Sequence, residues 1–78
     1  MNIQDVLLNQ LRKEKVTIII EDVNGNSYQG VIRGFDNFCI FFQSEEGSAL
    51  LYKHSLLKIK LPKDFYLKIP DREAARKS

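Results

Sequence analysis

At Val16 the spacing of apolar residues along this chain changes, and that change constrains the fold more than any other feature. Before it, Ile3, Leu7 and Leu11 stand four apart with Val6 and Leu8 flanking the same stripe, the period of a helix from Asn2 to about Glu14. Asn2 is placed to cap it, Asp5 favours the positive end of its dipole, and Arg12, Lys13 and Lys15 gather near the negative end. After it come short β-branched and aromatic runs broken by turn residues. Val16 to Ile20 reads as a strand, and Val23-Asn24-Gly25-Asn26 contains Asn-Gly, the strongest short hairpin signal. The next strand, about Ser27 to Phe35, carries Gly30 and Gly34, which mark a bulge, a bend or a close backbone approach. Asp36-Asn37 turns the chain into Phe38-Cys39-Ile40-Phe41-Phe42, a run so continuously apolar that both its faces are expected to be buried. A polar turn at 44–48, a strand from Ala49 to His54 and another from Leu56 to Leu61, ended by Pro62, complete the pattern. One helix and five short antiparallel strands with glycine bends predict a mainly β fold, a small and strongly bent barrel over residues 1–62.

The length bounds how such a barrel is stabilised. A domain of 78 residues leaves much of its chain's surface exposed, so disulfides, a metal or self-association often supply what the core lacks. Cys39 is the single cysteine, so no intrachain disulfide forms, and its apolar surroundings read as those of a small buried hydrophobe. One Cys and one His do not make a four-ligand zinc site, and no cofactor is expected. Self-association remains. A five-stranded barrel has edges, and head-to-tail pairing of one edge with another closes a ring. The net charge of +2 is modest for one chain, but six copies would carry about +12, a field able to steer polyanions. No run is long enough to span a membrane and the N-terminus lacks the pattern of a secretion signal, so a soluble cytoplasmic protein is the expectation.

Tyr52-Lys53-His54 holds the only histidine and puts a stacking face, a cation and an imidazole side by side on the predicted fourth strand. Those groups suit single-stranded nucleic acid, although the same run is equally the end of an ordinary half-buried strand. Catalysis is not indicated. His54 has no assignable nucleophile and orienting carboxylate, and no paired-carboxylate or phosphate-loop motif appears. Beyond Pro62 the tail, 63–78, is expected to be at least partly disordered: Phe65, Leu67 and Ile69 either add a short strand or pack on the surface, and the last eight residues read as disordered.

Taken in order, Leu8-Asn9, Arg12 to Val16, Val23-Asn24-Gly25, Gln29-Gly30, Phe35-Asp36 and Tyr52-Lys53-His54 closely resemble the bacterial Hfq family of Sm-like RNA chaperones. The resemblance runs from Gln4 to Pro62, with one additional residue in the 44–48 turn. It implies an Sm-like barrel with an N-terminal helix, a homohexameric ring, and RNA as partner. It also implies a cytoplasmic role in post-transcriptional regulation and stress response, in which small regulatory RNAs are paired with mRNAs. A ring that organises protein partners, with reduced RNA function, is the alternative.

The resemblance implies three surfaces. At the proximal pore, which binds uridine-rich RNA and the 3′ ends of small RNAs in the family, Gln4, Phe38, Lys53 and His54 match. Asn37 stands where many members have glutamine, and Tyr52 matches a tyrosine that either holds the pore strands together or touches a base. On the rim, Asn9, Arg12 and Phe35 match, while Lys13 and Lys15 replace arginines, keeping charge but losing the planar fork that grips phosphate. Weaker annealing than that of an arginine-rich rim follows. On the distal face Gly25 and Gln29 remain. In the family this face binds adenosine-rich RNA, so adenosine-rich mRNA segments are the implied partner. Glu21 stands where many members put a tyrosine that stacks on adenine, Asn26 replaces an apolar residue and Ser27 a lysine. Either that binding is weakened here or Gln29 and backbone groups sustain a different adenosine register.

Overall fold

The computed structural model describes residues 2–68. A helix, α1 (Ile3–Lys13), is followed by five strands: β1 (Ile18–Asp22), β2 (Ser27–Phe35), β3 (Cys39–Ser44), β4 (Gly47–Tyr52) and β5 (Leu56–Lys60). All pairings are antiparallel, in the order β4-β3-β2-β1-β5. The two edge strands, at opposite ends of that order, are joined by a single short 3₁₀ turn, Lys53–Ser55. Only a sheet bent round on itself allows so short a link, as the glycine pattern predicts.

The bend is made on β2. Its first half pairs with β1 and its second with β3, and the register shifts between Ile32 and Gly34. At Gly30 a Cβ would run into the backbone carbonyl of Gln43, so this glycine permits a close approach. The core is seven residues from four elements: Leu8 and Leu11 of α1, Ile18 and Ile20 of β1, Ile32 of β2, and Ile40 and Phe42 of β3. Each contributes roughly 1.5–3 kcal/mol by leaving water.

Asn2 caps α1 as predicted, its side chain accepting the Gln4 N–H at 2.9 Å. At the other end Val16 N–H donates to Leu11 O at 3.1 Å and Lys15 N–H to Arg12 O at 3.3 Å, with Lys15 at φ 51°. That pair of bonds is a Schellman ending, in which a lysine occupies the left-handed position that glycine usually takes.

Several expectations are corrected. The first strand runs from Ile18 to Asp22 rather than from Val16, because the Schellman turn still holds Val16. Ile3 is exposed at the helix start, outside the stripe that Leu8 and Leu11 bury. The run Phe38 to Phe42 is not buried on both faces: Ile40 and Phe42 point into the core, whereas Phe38 is 73% and Phe41 46% exposed and Cys39 is half-buried. One face of β3 meets the core and the other does not, so the strand alternates despite its uniform hydropathy. The 44–48 turn is tighter than expected, with Ser44 already paired to Gly47. Lys53 and His54 are not on a strand. β4 ends at Tyr52, where the chain must leave one sheet edge for the other.

After Pro62 the chain returns to α1. Phe65 packs against the core, and Tyr66 to Lys68 run beside Gln10 without forming a strand. Ile69 and the last eight residues, read above as disordered, lie outside the described residues.

Candidate nucleic-acid interface

Two turns build the first cluster. In the β2–β3 turn the Asp36 carboxylate accepts the N–H groups of Phe38 at 2.9 Å and Cys39 at 2.8 Å, a side-chain-closed turn that aims the Phe38 ring outward. Those two bonds, with the charge of Lys53 adding to them, hold the Asp36 carboxyl below the usual carboxylate range. The second turn carries Lys53 and His54. It is fastened to the first by Lys53 N–H donating to Phe38 O at 2.8 Å, and Tyr52 lies opposite Cys39 in the β3–β4 ladder. Tyr52 and His54 tilt towards each other, ring centres 6.2 Å apart. Gln4 and Lys53 line one shallow groove with Leu57. Gln4 thus shares a groove with Lys53, whose turn is tied to the one carrying Asn37 and Phe38, and Gln4, Asn37, Phe38, Tyr52 and His54 are all exposed.

Lys53 is the exception in exposure. Its ammonium stands 5.4 Å above the Phe35 ring and 3.8 Å from Asp5 Oδ1, with the side chain 13% exposed. The aromatic face and the distant carboxylate hold a cation whose stem is covered.

The rim residues meet in a second groove, where Asn9, Lys13 and Phe35 are joined by Asp5 and Glu14. Arg12 Nη2 donates to Asn9 Oδ1 at 2.6 Å, which holds the guanidinium on the helix surface. Lys15 stands apart from this groove, past the helix end. Phe35 serves both clusters, lining the rim groove while lying beneath Lys53.

The residues of the expected distal set are less alike in placement. Gln29 is exposed on β2, opposite Ile19, while Gly25 sits in the β1–β2 turn at φ 89°, a conformation suited to glycine. Asn26 is engaged inward, donating Nδ2–H to Asp22 at 3.1 Å. Glu21 faces Ser27 on one side and Lys58 on the other, and pairs with Lys60 at 3.0 Å and Lys58 at 3.8 Å. The Lys60 contact is the main reason its carboxyl lies below the usual range, with Lys58 reinforcing it against partial burial.

Sequence reasoning missed these two lysines, which blunt the repulsion of phosphate that Glu21 alone would exert. Their alternation on β5 was the available signal. It also missed Asp22, buried at the hairpin, whose carboxylate accepts from the Asn24 and Asn26 N–H groups, from Asn26 Nδ2 and from Tyr28 OH. The Asn26 N–H is the strongest of the bonds that keep Asp22 ionised.

A family model described as "Hfq protein" matches residues 3–65, which covers the helix, all five strands and both clusters. This chain belongs to the Hfq family. The RNA-binding protein Hfq of Pelotomaculum thermopropionicum is 37% identical over 78 residues, spanning 100% of this chain and 94% of that protein. The RNA-binding protein Hfq of Methylorubrum extorquens is 40% identical over 77 residues, 99% of this chain and 92% of its own. A crystal structure of Hfq, described as a pleiotropic translational regulator, superposes with a TM-score of 0.75 at 27% identity, covering 77% of this chain and 100% of that one. The fold is therefore the Sm-like barrel of Hfq, with its helix first.

Proposed function

We propose that this chain is an RNA-binding chaperone, acting in the cytoplasm as a homohexameric ring. In this reading the proximal cluster takes uridine-rich RNA, including the 3′ ends of small RNAs, and the rim promotes their pairing with mRNA. Membership of the Hfq family and the naming of its relatives as RNA-binding proteins support the class. The observation that carries the site is the bond from Lys53 N–H to Phe38 O, which puts an exposed aromatic ring beside a cation and an imidazole. Phe38 offers uracil a stacking face, the amides of Gln4 and Asn37 can read its Watson–Crick edge, and Lys53 and His54 meet phosphate or a 2′-OH. Repeated around a ring, these turns make a cationic pore. Nothing in this assignment calls for bond-making chemistry, and the protein is a binder rather than an enzyme.

Lys53→Ala tests it. Oligouridine affinity should fall by about tenfold or more, as for loss of a charged contact, and the salt slope should shrink, while the mass of the assembly is unchanged. Equal affinity at physiological salt would remove the pore assignment.

A further inference from the structure

Gln10 does something that a polar residue on a helix seldom does: it uses both ends of its carboxamide on a segment far along the chain. Its Nε2 donates to Tyr66 O at 2.9 Å, and its Oε1 accepts the Lys68 N–H at 2.8 Å. This is the pair of bonds that a neighbouring strand would make, supplied by one side chain that is itself only 8% exposed. Two more contacts fix the segment. Phe65 packs on the core, and Lys68 Nζ reaches Glu14 Oε2 at 2.8 Å, the largest cause of that carboxyl lying below its usual range. The result is that Lys68 lines the same groove as Asn9, Lys13 and Phe35.

Without Lys68 the walls of this groove would carry Asp5 and Glu14 against Lys13 alone, a poor surface for a polyanion. With it the charges balance, and the new ammonium is 70% exposed. An ammonium has three donors and Glu14 occupies one, so donors remain for a phosphate oxygen. We propose that Lys68, positioned by Gln10, is an RNA phosphate-binding residue of the rim, so that the RNA surface of this protein continues past the barrel into residues 65–68. This rests on the RNA-binding reading above, but concerns a residue and a segment which that reading does not use.

The test compares hexauridine, short enough for the pore alone, with a longer RNA ending in the same uridines, titrated into the assembled full chain over a salt series. Lys68→Ala should weaken the longer RNA several-fold and lower its salt slope by about 0.7 for each site engaged, with hexauridine unchanged. Lys68→Arg should retain binding. Gln10→Leu changes no charge, yet should reproduce the loss and also speed exchange of the Lys68 amide hydrogen, because it releases the segment. Should Gln10→Leu fail to fold, the exposed Lys68→Ala substitution carries the test alone. Undiminished binding of the longer RNA by Lys68→Ala, or an equal loss for both RNAs, overturns the proposal, as does wild-type binding by a folded Gln10→Leu variant. Failure of the unsubstituted chain to bind either RNA overturns the RNA-binding reading as well, and so is distinguishable.

Discussion

The cluster around Phe38 and the sheet surface around Glu21 are made of similar polar and charged residues but are built in different ways. Phe38, Lys53 and His54 stand on two turns at the sheet's corner, while Glu21, Gln29, Lys58 and Lys60 stand on strands in register. A strand residue always has a cross-strand neighbour, and opposite charges placed there satisfy each other. A residue on a turn has none, so the Phe38 ring stays 73% exposed and the His54 imidazole is open to a ligand. Phe38 and His54 on the turns are thus available for binding and Glu21, Lys58 and Lys60 on the strands are engaged with one another, while Lys53, covered over Phe35 and beside Asp5, is the engaged member of the turn cluster.

The strongest way to break that contrast is Phe38→Ala. Loss of a stacking face costs roughly 1–3 kcal/mol per base, so oligouridine affinity should fall by about fivefold to 150-fold while oligoadenosine binding is unaffected. Because the ring makes so little of the core, the melting temperature should hold. A large fall in melting temperature would instead mean that Phe38 is a structural residue.

Glu21→Tyr approaches the contrast from the other side. It removes the carboxylate that engages Lys58 and Lys60 and adds a ring on the partly exposed side of β1. Oligoadenosine affinity should rise by about 30-fold, the middle of the range for one stacked base, with a steeper salt dependence from the two released lysines. Glu21→Gln separates the two causes, since it should give the steeper salt dependence without the stacking gain. If neither variant improves binding, the paired lysines are not what limits this surface.

Legibility in the sequence follows the same division. The barrel, its five strands and the capped helix could be read, because period, glycine placement and turn residues are local signals, whereas the grouping of Gln4, Phe38 and Lys53 came only with the resemblance to the family. Burial on β3 could not: hydropathy is the same at Ile40 and Phe41, and only the sheet's two faces distinguish them. The bonds of Glu21 to Lys58 and Lys60, and of Gln10 to residues 66 and 68, join parts of the chain that no local pattern connects. Asp22 was passed over for a different reason, since an acidic residue before Asn-Gly looks like ordinary turn chemistry until its carboxylate is seen accepting four bonds.

Acid should expose the difference in how the two regions are held. Asp36 and Glu21 both have carboxyls lowered in the folded state, the first by the Phe38 and Cys39 N–H groups, the second by Lys60. A lowered folded pKa adds stability above the unfolded value, and that stability is lost as pH falls through the folded one. Urea denaturation across a pH series should therefore show stability declining below the usual carboxylate range. Asp36→Asn and Glu21→Gln should each be less stable than wild type near neutrality and converge on it in acid. Glu21→Gln should leave oligouridine affinity at neutral pH unchanged, whereas Asp36→Asn should weaken it by loosening the turn behind Phe38. Equal effects of both variants on oligouridine would erase the distinction.

Lys15 gives the smallest effect and the clearest view of what placing a group on a turn costs. It sits at φ 51°, where a side chain is disfavoured by roughly 1–2 kcal/mol, and it takes this position because the Schellman ending of α1 requires it. Glycine would relieve the strain but loses more entropy on folding, so Lys15→Gly should stabilise the fold by up to about 1 kcal/mol. The same substitution deletes a cation that the resemblance assigns to the rim, which should reduce the salt slope for a long RNA by about 0.7 per site if Lys15 meets phosphate. Raised stability with weakened RNA binding would mean that the backbone is held in an unfavourable conformation for the sake of the charge. Raised stability with unchanged binding would mean that the lysine does nothing a glycine could not, and that open exposure on a turn is not by itself a mark of function.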